Sequence, residues 1–307
     1  MKPMNFQHET VLPHETVAAL RPSHGGEWLD GTSGGGGHTA LLLEAIERRG
    51  RVWALDRDPD AIFALRARFA QEPGVHVRQG NFFQAKEILP GVLFRGIILD
   101  LGVSSHQLDT TERGFSYHRE APLDCRMSRE GVTAAELVNT LPFEELRRIF
   151  WEYGQERFSG PIARAIVKER AEGPIATTTQ LAEIIANAVP AAARRDGHPA
   201  RKAFMSLRYL VNGELDGLEN ALTDLFDMLA PGGRLAVITF NSLEDAAMKR
   251  VTKRLCAGCQ CPGDFPQCTC GITPKARVPQ KPLTPSPDEL ARNPRARSAK
   301  LRVLEKL

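Results

Sequence analysis

Three stretches of the chain carry residues whose types and spacing suit chemistry. The first is Asp30-Gly31-Thr32-Ser33-Gly34, continued by Gly35-Gly36-Gly37-His38. Glycines let a ligand approach the backbone, and a helix starting beyond them presents N–H groups that have no partner inside the helix. Asp56 follows the glycines by about 20 residues, the separation at which a carboxylate ending the next strand accepts hydrogen bonds from ribose hydroxyls. Together they point to a dinucleotide or another adenosine-bearing cofactor. The second stretch, Asp100-Leu101-Gly102-Val103-Ser104-Ser105, sets an acid at the end of an apolar run, where a carboxylate accepts an N–H from a bound group. The third holds five of the six cysteines: Cys256, Cys259, Cys261, Cys268 and Cys270. Four thiolates in two pairs suit a tetrahedral zinc ion, but C-x-C pairs are tighter than the usual ligand spacing. Zinc, reduced thiols and a regulatory disulfide all stay open, and no metal ligand is assigned.

Positioning these residues takes strands that end together. Trp28-Leu29-Asp30 reads as a short strand running into the glycine loop, and Leu41, Leu42, Ala45 and Ile46 beyond it recur at helical spacing. Residues 51–56 form a second strand, followed by a helix in which Ile62, Leu65 and Phe69 repeat by three and four. Residues 75–78 and 96–100 supply a third and a fourth. Near-continuous apolar strands alternating with helices predict an α/β fold with a mostly parallel sheet covered on both faces. From about Ser105 to Leu210 the pattern changes to helices and loops, with capping boxes at Thr133-Ala134-Ala135-Glu136 and Thr177-Thr178-Thr179-Gln180. A long helix is expected from about Asn212 to Leu229, then a turn at Pro231-Gly232-Gly233 and a fifth strand over 234–240. Residues 298–304 alternate enough for a last strand. The expected organisation is a core in two parts, 1–105 and 211–307, with 106–210 as an inserted all-helical domain.

With 42% hydrophobic and 25% charged residues the composition is close to globular averages, which argues against wholesale disorder, a coiled coil or a collagen-like chain. No apolar run approaches a membrane helix, since Leu41-Leu42-Leu43 is stopped by Glu44, and Met1-Lys2-Pro3-Met4-Asn5 lacks the apolar segment of a signal peptide. A cytoplasmic protein with no membrane partner is expected. The net charge is +3, unevenly spread: residues 271–307 hold nine basic side chains against three acidic ones. A tail of that sign suits a polyanion as well as plain solvation.

The glycine loop lacks the G-x-G-x-x-G spacing that accommodates a pyrophosphate. Pro231-Gly232-Gly233-Arg234-Leu235 resembles the turn into the fifth strand of class I methyltransferases, so S-adenosylmethionine leads a nicotinamide cofactor. Asp100 stands where amino-methyltransferases carry an acidic or amide residue followed by two prolines and an aromatic. The prolines and the aromatic are missing here, and Phe115, Tyr117 and Phe240 are the candidates for a stacking surface. A more specific likeness follows. His8-Glu9-Thr10-Val11-Leu12, Asp30-Gly31-Thr32 with Gly36-Gly37-His38, Asp56-Arg57-Asp58-Pro59, Asp100-Leu101-Gly102-Val103-Ser104-Ser105 and Gln107-Leu108-Asp109 closely resemble the bacterial ribosomal RNA small-subunit methyltransferase H family. So do Arg113-Gly114-Phe115-Ser116, Pro122-Leu123-Asp124, Tyr153-Gly154-Gln155-Glu156-Arg157-Phe158, His198-Pro199-Ala200, Val211-Asn212-Gly213-Glu214-Leu215 and Asn293-Pro294-Arg295-Ala296-Arg297-Ser298. The likeness runs almost end to end.

That resemblance implies a Rossmann-like class I methyltransferase domain with an inserted helical substrate domain. The activity it implies is transfer of a methyl group from S-adenosylmethionine to the exocyclic N4 amine of a cytidine in small-subunit (16S) ribosomal RNA. Small-subunit ribosomal RNA or the ribosomal particle is then the partner. Arg147, Arg148, Arg157, Arg164, Lys168, Arg194, Arg195, Arg201, Lys202 and Arg208 are candidate phosphate contacts. By matched position Gly36, Gly37, His38, Asp56, Phe82, Asp100 and Gln107 line the cofactor site. Asp100 is the catalytic candidate, an acceptor for an amine whose lone pair is delocalised into the base. Two positions depart from the family pattern: Asn241 stands where histidine is usual, and Cys125 where methionine is common. Asparagine cannot act as a general base, so position 241 is read as orienting substrate or ending a strand, with water taking the proton. A nucleotide-dependent oxidoreductase and a non-enzymatic RNA-binding assembly protein are the alternatives from other classes.

Overall fold

The computed structural model describes residues 10–258 and 270–307, without the side chains of Ala193, Arg195 and Asp196. His8, Glu9, Cys259, Cys261 and Cys268 lie outside the described residues, as does the side chain of Arg195. In chain order the first elements are α1 (Pro13–Ala19), β1 (Glu27–Asp30), α2 (Gly37–Ala45), β2 (Arg51–Asp56), α3 (Pro59–Arg68), β3 (Val75–Gln79), α4 (Ala85–Ile88) and β4 (Phe94–Asp100). Helices follow: α5 (Ser105–Asp109), α6 (Ala134–Thr140), α7 (Phe143–Glu152), α8 (Ser159–Glu172), α9 (Thr178–Ala188) and α10 (Ala200–Asn212). The chain closes with α11 (Leu218–Asp227), β5 (Leu229–Thr239), α12 (Ser242–Leu255), β6 (Ala276–Arg277), α13 (Pro287–Arg292) and β7 (Lys300–Lys306). Two compact units result, one of residues 1–102 with 217–307 and one of residues 103–216.

In the first unit the strands form one sheet in the order β3-β2-β1-β4-β5-β7-β6. β1 to β5 are parallel, and β7 runs antiparallel to both its neighbours. This is the mostly parallel class I methyltransferase arrangement that the sequence indicates. Its core gathers Trp28, Leu42, Ile46, Val52, Ile98, Ile238 and Leu301. Parallel strands carry their carboxyl ends to the same side, so Asp30, Asp56 and Asp100 each close a strand at one edge of the sheet. The N-terminal turn is held from far along the chain: Leu12, left-handed at φ 48°, donates its N–H to Glu289 Oε1 at 2.7 Å. On β5, Arg234 is buried, donates to Glu305 of β7 at 2.7 Å and to the Ala19 carbonyl at 2.7 Å.

Several expectations shift in the structure. The helix expected over 212–229 is shorter, α11 at Leu218–Asp227, because Gly213 (φ 57°) ends α10 in a left-handed cap and Gly217 (φ 82°) precedes α11 in the same conformation. Pro231-Gly232-Gly233 is a bulge inside β5 rather than a turn before it. Phe94 faces Leu229 and Gly96 faces Arg234, which leaves the residues between unpaired. The last strand is β7 at 300–306, since Pro294–Ser298 first makes a 3₁₀ turn. β6, two residues long, is too short to leave a periodic signal.

In the second unit α6 to α10 enclose Val138, Leu146, Phe150, Ile162, Ile166, Ile185 and Leu207. The Thr133 and Glu136 side chains cap reciprocally, whereas Gln180 accepts from Ala176 rather than completing a box with Thr177. A loop over 113–127 is fixed by backbone contacts: Arg113 donates to the carbonyls of Arg126 and Met127, and Asn212 bridges Cys125 and Met127. A Cβ on Gly114 would lie 2.3 Å from the Pro122 carbonyl, so only glycine fits there. Cys125 packs in this loop at φ 64°, its thiol donating to the Gly114 carbonyl at 3.0 Å, and burial pushes its pKa up to about 12. Such a thiol packs and does not react. Among the described residues no helix is long and apolar enough to cross a membrane.

Breaking the Arg234–Glu305 pair should cost about 3 kcal/mol, because removing one member of a buried pair strands the other. Arg234→Leu is expected to lower the urea midpoint accordingly, and Glu305→Leu added to it should recover part of the loss. Unchanged midpoints in all variants would show that Arg277, which also pairs with Glu305, suffices alone.

Candidate functional site

β1 ends in Asp30, and the chain then turns through residues 31–36 into α2. Gly31 N–H donates to the Ile98 carbonyl at 2.9 Å, and Ser33 N–H to the Leu55 carbonyl at 3.0 Å, so the loop is tied to β4 on one side and β2 on the other. A Cβ on Gly31 would stand 2.7 Å from Leu99 and 3.4 Å from Phe82 Cβ. One on Gly36, at φ 79°, would strike Phe69 at 2.6 Å, and one on Gly37 would fall 1.8 Å from Thr10 Oγ1. Side chains thus crowd these glycines from three directions, and the positive φ of Gly36 favours glycine in addition. His38, buried at the start of α2, lies 3.1 Å through Nε2 from the Val11 carbonyl and so ties the helix to the N-terminal turn.

Asp56 reaches across to the loop. Its Oδ2 accepts the Gly34 N–H at 2.7 Å and its Oδ1 the Asp58 N–H at 2.9 Å. Each oxygen keeps a second lone pair for a ligand hydroxyl. Asp30 is fully buried and accepts from Thr39 Oγ1 at 2.7 Å. Asp100 donates its N–H to Thr32 Oγ1 at 2.6 Å, but its side-chain Oδ1 is buried with no hydrogen-bond partner among the described residues.

The electrostatics follow from this crowding. Burial pushes Asp30 and Asp56 up to about 6, against the pull of their N–H and O–H donors. Asp100 is raised well above the ordinary carboxylate range, by burial first and then by the charges of Asp30, Glu244 and Glu289. An orphaned buried acceptor surrounded by acids calls for a ligand that brings donors and positive charge. A pyrophosphate would add anions to an already acidic edge, whereas hydroxyls and a cationic centre fit.

Six of the seven expected cofactor residues, Gly36, Gly37, His38, Asp56, Phe82 and Asp100, belong to the first unit around this loop. Phe82, in the short turn after β3, packs edge-on against Phe83 at 4.7 Å. Gln107 belongs to the second unit, where its side-chain oxygen accepts the Ser104 N–H at 3.0 Å in a capping box at α5. Sequence reading passed over Asp30, Thr32 and Thr39 as site residues, although the Asp-Gly-Thr run after a strand carried the signal. It also passed over Glu244, whose Oε2 accepts the Phe240 N–H at 2.8 Å. Asn241 caps α12, its Oδ1 accepting from Leu243 at 2.8 Å and Glu244 at 3.1 Å. Part of the basic tail pairs within the chain, with Arg302 on Asp245 and Arg277 on Glu305. Among the described residues no three His, Cys, Asp or Glu side chains are grouped to hold a metal ion.

Residues 5–307 match the MraW methylase family. The Ribosomal RNA small subunit methyltransferase H of Heliobacterium mobile is 48% identical over 314 aligned positions, covering 99% of this chain and 100% of that protein. The protein of the same name from Magnetococcus marinus is 50% identical over 319 positions, with 99% and 100% covered. Among solved structures, an rRNA methylase from Streptococcus thermophilus aligns with 96% of each chain at 12% identity and a TM-score of 0.42.

An unpaired buried carboxyl burdens the fold, so Asp100→Asn should stabilise it by about 1–3 kcal/mol near pH 8. The folded pKa of Asp100 lies above its unfolded value, so the wild-type penalty is present at high pH and relieved as pH falls. The advantage of the variant should therefore shrink on acidification. Denaturant melts across that range test both points, and a variant less stable than the wild type at pH 8 contradicts them.

Proposed function

The chain belongs to the MraW methylase family, and from that premise we propose that it transfers a methyl group from S-adenosylmethionine to the exocyclic N4 amine of a cytidine in small-subunit (16S) ribosomal RNA. The observation that carries the reading is the buried, unpartnered Oδ1 of Asp100 beside the glycine loop and Asp56. S-adenosylmethionine, when bound, supplies an electrophilic methyl on a cationic sulfur, and positive charge favours the ionised form of the acids around it. Asp56 accepts the ribose hydroxyls with the lone pairs left over from Gly34 and Asp58. Gly31, Gly36 and Gly37 let the loop pack closely against Leu99, Phe69 and Thr10, Phe82 gives an apolar wall, and His38 fixes the helix behind the loop.

Asp100 accepts an N–H of the amine, which turns the nitrogen lone pair out of conjugation with the base. As N4 gains the methyl it loses one proton, and the high proton affinity of Asp100 suits Oδ1 to receive it. Asn241 takes no part in that transfer, since its side-chain oxygen caps α12. Alignment of amine and methyl is the principal catalytic effect. The cytidine has to leave its stack to reach a strand-end site, at an expense a single-stranded target keeps small. The partner in this reading is the small-subunit RNA, free or in the ribosomal particle, which puts the work in the cytoplasm.

Labelled S-adenosylmethionine incubated with small subunits from a strain lacking the activity, followed by nucleoside analysis, should yield N4-methylated cytidine. Label in another nucleoside, or none, overturns the assignment. Asp56→Ala should weaken cofactor binding roughly ten- to a hundredfold by calorimetry, the loss of a charged acceptor. In the wild type, affinity should fall as pH drops below about 6, where Asp56 takes up a proton. Affinity that is flat with pH and unaltered in the variant removes Asp56 from the site. Single-turnover methylation at saturating cofactor should drop further in Asp100→Ala than in Asp100→Asn, which keeps an acceptor oxygen, and wild-type rates in both would confine Asp100 to packing.

A further inference from the structure

The second unit carries a cluster of rings that runs from its core out to exposed side chains. Tyr117, half-buried, rests edge-on against the buried Phe204, with ring centroids 5.4 Å apart. His198 stacks on Tyr117 at 4.6 Å with the planes 22° apart, and His118 tilts against the same ring at 4.4 Å. Both imidazoles are exposed. The His198 ring is also held in orientation, since its Nδ1 accepts the Ala200 N–H at 3.2 Å. That bond leaves the ring proton on Nε2 and favours the neutral form. Burial and then the neighbouring His118 lower the His198 pKa, in the same direction. A flat, neutral, immobilised ring on an aromatic support is the surface on which a nucleobase stacks.

The charges beside it have the matching sign. Most cationic side chains of this unit are engaged: Arg147, Arg148 and Arg208 are in ion pairs, and Lys202 donates to the Gln155 carbonyl. Arg201, three residues after His198, and Arg119, two after Tyr117, are exposed and have no ion pair among the described residues. Glu120 is the acid next to Arg119, so the local balance stays positive.

We propose that the Tyr117–His198 stack is a platform for an unpaired base of the RNA substrate, with Arg119 and Arg201 on the adjoining phosphates. The proposal rests on the ribosomal RNA reading above and adds where the second unit grips the strand. It assigns His198 a binding role and no part in methyl transfer.

The test uses the full-length protein, small subunits from a strain lacking the methylation as the probe, and cofactor affinity as a control. His198→Ala should weaken subunit binding by about tenfold, the loss of one stacked base. His198→Phe, which restores a ring without a titratable nitrogen, should return to within about threefold of the wild type. Arg201→Gln should weaken binding and lessen its dependence on salt. In turnover, His198→Ala should raise KM for subunits by about the same factor while kcat at saturation and cofactor affinity stay near wild type. Unchanged subunit affinity in His198→Ala, or no recovery in His198→Phe, overturns the platform. A wild-type protein that binds subunits yet methylates no cytidine overturns the activity reading instead, and the binding results still decide the platform.

Discussion

Three carboxyl groups buried at adjoining strand ends are the constraint on which the first unit depends. Asp56 repels Asp30 and Asp30 repels Asp100, all three lose hydration, and burial raises the proton affinity of each. The fold answers with donors for two of them, Thr39 for Asp30 and the Gly34 and Asp58 amides for Asp56. Asp100 receives none on Oδ1 among the described residues. A site that leaves one buried acceptor open suits a ligand that brings the missing donor, and the glycines of the neighbouring loop sit where the side chains of Leu99, Phe69 and Thr10 already fill the space.

Much of this was legible in the sequence because it rests on local signals. The strand–glycine–helix run, Asp56 at its set distance and Asp100 after an apolar strand all announce themselves by position. What escaped was what only packing decides. Asp30 looks like a strand-ending acid until the Thr39 hydroxyl is seen on it, and the capping of α12 by the Asn241 amide oxygen adds a part that the strand-end reading did not include. The expected helix over 212–229 is too long because apolar spacing continues through Gly213 and Gly217, and periodicity does not register a positive φ. The bulge in β5 was misread as a turn for a related reason: the same Pro-Gly-Gly serves either, and the partner strand determines which.

The two units solve different problems with one chain. The first holds polar groups in place by a parallel sheet whose ends coincide, while the second packs helices around an apolar core and fastens one long loop with Arg113 and Asn212. The residue blocks of that loop owe much to geometry: Gly114 admits no side chain, and Asn212 serves both Cys125 and Met127. A block that matches a family can thus reflect backbone bracing as readily as contact with substrate.

The bond between Leu12 and Glu289 spans 277 positions of the chain. It sets the turn whose Val11 carbonyl faces His38, and with it the start of the helix behind the glycine loop. During synthesis Leu12 emerges first but lacks Glu289 until another 277 residues have been added, and β7, a neighbour of β5, comes later still. The first strands can pair early, yet the loop's support closes only once Glu289 has been made. Because residues 103–216 lie between the two parts of the first unit, the helical unit is made before Glu289, and the support of the glycine loop forms after it.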